Sequence, residues 1–309
     1  MMRRSVLAVV ACVFSAQTSH VASQSYCCYS TNRYSYASYA YGFSSIIAGG
    51  YYNYAAGSWA SVGGGLYNHL YRPYSNIRGG RYNYVYGYSG TIVGGDYNTA
   101  GGSWSTVTGG AYNRAFAAHS TAIGGYNNKV YAYAATVGGG QDNSAYGSWS
   151  FVGGGRYNKV YGTWSNIGAG YNNLIYAPAA TIGGGYLNRA YAWYQTIGGG
   201  YKNYVYSYTG TIGGGFASST YGYQAYIGGG SYHYNNAHRG VIVGGYDHWI
   251  AKEWAVVGGG YQNYLSSYHG SVLGGKKNSV YNSYSMVTGG SANLIYTSHS
   301  MIGGGVSNY

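Results

Sequence analysis

The sequence predicts an all-β fold: a single-chain parallel β-solenoid, or β-roll, of about 18 coils with a 15-residue period. Two observations carry this prediction. Gly occupies all eighteen positions of the 15-residue series from Gly50 to Gly305, and Asn occupies fifteen of the eighteen from Asn53 to Asn308, with no insertion anywhere. Gly (57 of 309 residues) and Tyr (46) dominate a composition that opposes helix, and one such period is too short for a helical hairpin repeat.

Each coil is predicted to hold two strands of four or five residues joined by two turns. Side chains alternate between the faces of a strand, so Ala180 and Ile182 share one face, and Ala179 and Thr181 share the other. The series through Ala180 is small and the series through Ile182 is branched aliphatic, which places both inside a thin core. Stacked coils rise by about 4.8 Å, giving a rod on the order of 80 Å long.

The Asn series is predicted to be structural. Its amides, which share an inward face with the Ala190 series, are expected to bond to nearby backbone and to their copies in adjacent coils. Asn is also expected to take left-handed backbone geometry, and the Gly pairs to supply turns with positive φ. The central members of this Asn ladder are Asn143, Asn158, Asn173, Asn188 and Asn203.

A second series is predicted to form an outward aromatic ladder. Three interpretations stay open for it: packing against sister chains, binding a ligand surface, or cross-strand stacking that supports the sheet. A further outward series in the first strand is rich in Trp, as at Trp59, Trp104 and Trp149. The candidate ladder residues are Tyr131, Tyr146, Tyr161, Tyr176, Tyr191, Tyr206 and Tyr221.

The chain is basic, with 16 Lys and Arg against four acids and a net charge of +12. Several basic residues fall near the Asn turn and are predicted to line one edge of the solenoid. They serve either solubility or the binding of an anionic polymer such as acidic polysaccharide. No nucleic-acid motif accompanies them, and no nucleic-acid partner is expected. The candidate edge residues are Arg114, Lys129, Arg156, Lys159, Arg189 and Lys202.

The first residues, MMRRSVLAVVACVFSA, have the basic start and apolar run of a secretory signal. The predicted organisation is a signal peptide over 1–23, a Ser/Tyr-rich leader over 24–36 and the repeat domain over 37–309, without a recognisable cap at its end. Location is predicted to be secreted, extracellular or at the cell surface, with no transmembrane span. Cys27 and Cys28 are expected to be free thiols or to link to another chain.

Catalysis is not predicted. The four acids, Asp96, Asp142, Asp247 and Glu253, are scattered among unrelated repeat positions. The eight His form no metal-spaced cluster, and His233 and His248 occupy Asn positions. No nucleophile elbow or paired carboxylate motif is present, so no enzyme activity, metal or cofactor is expected. An outward Thr file is too interrupted for an ice-binding face.

The stretch GSWSFVGGGRYNKVYGTWSNIGAG, at 147–170, resembles the head repeats of trimeric autotransporter adhesins, the YadA-like heads. The resemblance covers about residues 37–309. It implies a left-handed parallel β-roll, three identical chains side by side, and adhesion to host or matrix surfaces. The longer period, the abundance of Tyr, and the lack of a neck, stalk or membrane barrel depart from that family.

The predicted function is therefore a secreted or surface-exposed adhesin-like protein that binds multivalently along a rigid rod. The partners expected are further copies of the chain, as a homotrimer or fibre, and surface glycans or matrix polymers. Two alternatives stay open: a wall, sheath or fibre protein that uses Tyr packing or cross-linking, and a carbohydrate-binding module.

Overall fold

A computed structural model describes residues 31–32 and 35–309. The predicted signal peptide, most of the leader, and Cys27 and Cys28 lie outside the described residues. The described chain is an all-β parallel solenoid without helix, and each strand pairs with its counterpart in the next coil, as Thr181 with Thr196 and Arg189 with Tyr204. The predicted fold class and period are confirmed.

The first sheet is a stack of nineteen parallel strands that carry the Ile182 series. Every strand has two residues, and register is kept from Thr31↔Ile46 to Met286↔Met301. The strands are Thr31–Asn32, Ile46–Ile47, Ser61–Val62, Asn76–Ile77, Thr91–Ile92, Thr106–Val107, Thr121–Ala122, Thr136–Val137, Phe151–Val152, Asn166–Ile167, Thr181–Ile182, Thr196–Ile197, Thr211–Ile212, Tyr226–Ile227, Val241–Ile242, Val256–Val257, Ser271–Val272, Met286–Val287 and Met301–Ile302.

The second sheet stacks eighteen strands that carry the Ala190 series, again two residues each. These are Tyr39–Ala40, Tyr54–Ala55, His69–Leu70, Tyr84–Val85, Thr99–Ala100, Arg114–Ala115, Lys129–Val130, Ser144–Ala145, Lys159–Val160, Leu174–Ile175, Arg189–Ala190, Tyr204–Val205, Ser219–Thr220, Tyr234–Asn235, Trp249–Ile250, Tyr264–Leu265, Ser279–Val280 and Leu294–Ile295. A third line begins with Ser35–Tyr36 and Gly50–Tyr51 and continues as single bridges to Ser291↔Val306.

The strands are shorter than predicted because three residues of each coil adopt left-handed backbone angles. In one coil these are Gly185 (φ 89°), Leu187 (φ 57°) and Tyr194 (φ 56°). The left-handed residue is thus the one before Asn188, and the expectation that Asn itself takes this conformation was wrong. The Trp-rich series through Tyr194 likewise lies at a corner of the coil, whereas the sequence placed it in a strand.

Backbone hydrogen bonds run in both directions between coils. In the strands, an N–H donates to a carbonyl of the following coil, as from Ile46 to Ala60 at 2.9 Å. At the left-handed corners the N–H donates to a carbonyl of the preceding coil, as from Trp59 to Phe43 at 2.8 Å. Each corner residue therefore satisfies its donor on the preceding coil, which stabilises a conformation that non-Gly residues otherwise avoid.

The core is one residue thick in each sheet. Ala180, Ile182 and Ala190 are fully buried, as predicted, and Asn188 lies beside them with no exposed surface. The second residue of each Gly pair is sterically required. A Cβ on Gly185 would lie 2.2 Å from the carbonyl oxygen of Gly200 in the next coil. This contact holds the period constant, since the Gly must recur directly over its copy.

Candidate functional site

The buried Asn series forms a continuous ladder, and Asn158 represents its geometry. Its Oδ1 accepts the backbone N–H of Asn173 at 2.9 Å. Its Nδ2 donates to the carbonyls of Gly154 at 2.8 Å and Gly170 at 2.9 Å, in its own coil and in the next. Each amide therefore ties a Gly turn to the next coil through the backbone partners that were expected. The expected amide-to-amide bonds form at fewer positions, as where Asn173 Nδ2 donates to Asn158 Oδ1 at 3.2 Å.

Ser218, His233 and His248 interrupt this ladder in three successive coils. The rings of His233 and His248 are buried and stacked, with centroids 5.0 Å apart. Nδ1 of His233 accepts the backbone N–H of His248 at 3.2 Å, and Nδ1 of His248 accepts that of Asn263 at 3.1 Å. Each ring nitrogen thus takes the place of an Asn side-chain oxygen. Both Nε2 atoms are buried without a well-formed hydrogen bond. Burial, followed by the charge of His248, lowers the pKa of His233 to about 4.

The predicted aromatic ladder exists as stacked rings on the outer side of the second sheet. The rings of Tyr131, Tyr146 and Tyr161 lie 4.7 Å and 4.6 Å apart, each pair within 7° of parallel. Tyr176, Tyr191, Tyr206 and Tyr221 continue it at 4.6–5.2 Å, after a wider step of 5.7 Å from Tyr161. Phe116 begins this stack. We call this series the first ladder.

Ring faces in the first ladder are covered by the rings above and below. Tyr146, with a neighbour on each face, remains 38% exposed. What solvent reaches are ring edges and hydroxyl groups, in rows that follow the coil rise of about 4.8 Å. Burial, with the neighbouring phenolates of Tyr191 and Tyr221, raises the pKa of Tyr206 to about 12, so the hydroxyl stays a proton donor.

The first ladder stays continuous where its own series loses aromatic residues. Asn236, Ala251 and Ser266 occupy three successive positions of the series. The neighbouring outward series supplies rings in those coils, and contact passes from Tyr221 to them at 4.9 Å and back to the original series at 5.6 Å. The substituting residues are Tyr234, Trp249 and Tyr264. Ring contact is thus maintained from Tyr221 to Tyr281, whichever of the two positions provides the ring.

Two more ladders are present, of which the sequence prediction missed one and noted the other only in part, as the Trp-rich series. The second ladder follows the corner at 186–187, and the third follows the corner at 193–194. Each switches between two adjacent positions, as in the steps from Tyr112 to Tyr126 and from Tyr88 to Trp104. The signal was available: every coil from 51–52 to 261–262 except Gln141–Asp142 has Tyr or Phe at one of those two positions. The rings are divided between two adjacent positions of the repeat, so neither position alone shows the ladder.

The predicted basic edge divides into two groups. Arg114, Lys129, Lys159 and Arg189 are outward residues of the second sheet, between the first and second ladders. Arg156 and Lys202 lie in the second ladder, where the Arg156 guanidinium is 4.7 Å from the centre of the Tyr157 ring. Across the described residues the one ion pair is Arg81–Asp96, at 2.9 Å. The six predicted residues thus lack carboxylate partners within ion-pair distance.

A shallow notch of about 240 Å³ opens among these basic residues. Ser144, paired in register with Lys129 on one side and Lys159 on the other, is buried and leaves space between them. The notch lies in the coil where the second ladder has Gln141 and Asp142 in place of a ring. Its lining is completed by Asn127, Asp142, Tyr146 and Tyr157, and Asn127 Nδ2 donates to Asp142 Oδ1 at 2.6 Å.

A metal centre and a membrane-spanning helix are both absent from the described residues. Among residues 31–32 and 35–309, no group of three His, Cys, Asp or Glu side chains is placed to hold a metal ion. That same part of the chain contains no helix long and apolar enough to cross a membrane. No protein-family model and no curated protein matches this sequence. The exposed aromatic ladders and the basic notch are therefore the candidate functional features of the described residues.

Proposed function

We propose that this chain is a secreted, rigid rod that adheres to extracellular surfaces through many repeated weak contacts. The observation that carries the proposal is the recurrence of exposed rings in contact, stacked or edge to face, in three ladders along one solenoid. A rod that offers a similar hydroxyl and ring-edge pattern at successive coils can engage a surface at many points. Weak contacts linked in this way give an avidity far above that of one contact.

The covered ring faces of the first ladder argue against a carbohydrate-binding module. A carbohydrate-binding module holds neutral sugar rings against free aromatic faces, and the ladder tyrosines keep their faces against one another. Trp164 is the most exposed tryptophan, at 64%. A neutral sugar site would therefore be sought at Trp164, in the third-ladder series, and not along the first ladder.

A structural fibre is the second candidate, and the outward ring edges favour it. Oxidative coupling of two tyrosines joins ring carbons ortho to the hydroxyls, with loss of two protons and two electrons to an oxidant such as peroxide. Those carbons lie on the exposed edges. Within a ladder the rings are held parallel and face to face, for example at 3° between Tyr191 and Tyr206. Coupling is thus favoured between rods over coupling within one.

The test replaces Tyr146, Tyr161, Tyr176 and Tyr191 with Ser in the full chain, followed by sedimentation and by adhesion to matrix-coated surfaces. Loss of adhesion at unchanged mass supports the adhesive rod. Dissociation of an oligomer places the ladder in contact between copies, as the trimer of the resembling family would require. A matched variant changes Tyr171, Tyr186 and Tyr201 of the second ladder. Adhesion unaffected in both variants would refute the proposal.

A further inference from the structure

The outward positions of the second sheet from Arg114 to Arg189 form a continuous basic trough. Six successive coils place their residues there in direct register. Four are basic, and the other two are Ser144 and Leu174. The first ladder borders the trough two residues further along each coil, and the second ladder lies at the preceding corner. The trough is thus a straight, mainly basic row of side chains between two rows rich in tyrosine, with the notch as its concave part.

Three of the four charges in the trough recur at every second coil, and Arg114 lies one coil before Lys129. Lys129, Lys159 and Arg189 are separated by two coils each, or about 9.6 Å. Arg189 is held by the carbonyl of Asn172, to which its Nη1 donates, whereas the two lysines have no carboxylate within ion-pair distance in the described structure. The notch over Ser144 lies between those lysines. Asp142 is the acid nearest to it, and its charge opposes an anion there.

We propose that the basic trough binds a linear acidic polysaccharide, with one of its anionic groups seated in the notch between Lys129 and Lys159. A polysaccharide that alternates uronic acid with a neutral sugar carries one carboxylate per disaccharide, a length comparable with two coil steps. Its hydroxyls meet the phenol groups of Tyr146 and Tyr157, which line the notch. This inference rests on the proposed adhesive function and names its ligand class.

Two other anionic polymers fit the surface less well. Single-stranded nucleic acid gains much of its binding energy by stacking bases on free aromatic faces, and the ladder faces here are covered. A folded acidic protein would have to present a straight row of carboxylates over six coils. A linear polysaccharide has the extended shape, the charge spacing and the hydroxyl groups together.

The experiment measures binding of the full chain to soluble hyaluronan, heparin, dextran, poly-glutamate and single-stranded DNA at low and physiological ionic strength. Hyaluronan bound more tightly than heparin identifies carboxylate as the anion, and the reverse identifies sulfate. K129Q/K159Q is expected to weaken binding about tenfold, from two partly screened charges. K276Q/K277Q removes the same charge elsewhere on the rod and should leave affinity unchanged.

Two more variants test the notch itself. Asp142→Asn removes the opposing charge and keeps a residue suited to its φ of 55°, so it should tighten binding about threefold. Ser144→Leu fills the notch with the residue that Leu174 already places in this series, leaves both lysines, and should weaken binding as much as their removal. Equal binding of dextran, tighter binding of DNA or poly-glutamate, or no effect of Ser144→Leu would overturn the inference.

The experiments distinguish failure of the proposed trough from failure of the proposed adhesive function. A rod that adheres through its tyrosine ladders but is indifferent to the lysine variants refutes the trough alone. A rod that binds soluble hyaluronan through the trough but adheres to no coated surface refutes the adhesive function alone.

Discussion

Coils 116–215 and coils 216–266 differ in both their interior and their surface. In the first section every position of the buried Asn ladder is Asn. The rings of the first aromatic ladder are near parallel, with neighbours within 14° of each other from Tyr176 to Tyr221. In the second section Ser218, His233 and His248 replace Asn. Thr220 and Asn235 place polar side chains in the Ala190 series, which is otherwise apolar. The rings of the first ladder there are tilted against their neighbours by 34–58°.

The differences between the two sections show which features the fold requires and which it tolerates. Gly at the tight turn and aliphatic residues in the first sheet persist through both sections, from Gly155 to Gly260 and from Val152 to Val257. The amide ladder and the ring geometry are relaxed in the second section without any change in register. Steric closure of the turn is therefore the strictest requirement, and the polar ladder adds stability on top of it.

The largest expected effect is at the tight turn, and it should be the same in either section. In Gly155→Ala, the new Cβ would lie 2.0 Å from the Gly170 carbonyl oxygen at a φ of 82°. The turn cannot relax without moving the adjacent coil, and the expected loss is more than about 4 kcal/mol of unfolding free energy. Urea unfolding and hydrogen exchange of the neighbouring coils measure it.

Gly154→Ala is the matched control one residue away. A Cβ there meets nothing within 4 Å, and Ala169 already occupies the equivalent position in the next coil. Its stability should stay close to that of the original chain. Equal loss from both substitutions would show that turn sterics do not set the period.

The inward residues could be predicted from the sequence because they depend on alternation and period alone. Ile182, Asn188 and Ala190 lie where that reasoning placed them. The left-handed Gly turns were predicted, but the other two left-handed corners could not be, since Leu187 and Tyr194 are residue types without preference for that conformation.

The surface was less predictable for a different reason. The second ladder passes between adjacent positions, so no single series is rich enough in rings to reveal it. The third ladder does the same, and its Trp-rich series reveals only part of it. The notch depends on a missing side chain at Ser144 between two lysines, which becomes visible only once register and side-chain direction are known.

The second prediction contrasts the two interiors directly. Asn158→Ala removes the partner of the Asn173 N–H and of the Gly154 carbonyl, whereas the Gly170 carbonyl keeps the backbone N–H of Arg156 at 2.8 Å. We expect a loss of about 3 kcal/mol in unfolding free energy. Ser218→Asn should instead add about 1 kcal/mol, by restoring an amide between the Gly214 and Gly230 carbonyls. Urea unfolding compares the two variants, and Ser218→Ala is the control for loss of the hydroxyl.

The third prediction is that acid weakens the second section selectively. Because the pKa of His233 is about 4 in the folded chain, below its ordinary 6.5, the folded state binds fewer protons than the unfolded state between those values. Stability is therefore full above pH 6.5 and is lost as the pH falls through this window. At pH 4 the effect should be no larger than about that of Asn158→Ala. Thermal unfolding at a series of pH values measures it.

His233→Asn/His248→Asn supplies the control for this titration. The double variant rebuilds the amide ladder, so its unfolding temperature should fall less between pH 6.5 and pH 4. An identical pH profile in both proteins would assign the acid sensitivity to other groups, among which Asp247 is the nearest charge acting on His248.

The smallest expected effect concerns the surface, where the ladder changes position. Tyr234→Ser breaks the ring contact with Tyr221 at 4.9 Å and should cost about 1 kcal/mol. Tyr234→Ser/Asn236→Tyr returns the ring to its original series, directly in register with Tyr221, and moves the change of position one coil onward to Trp249. If ring continuity is what the chain maintains, the double variant regains both stability and adhesion. If it regains stability without adhesion, the exact position of the ring at this coil contributes to binding, and the tilted section has a surface role distinct from that of the parallel one.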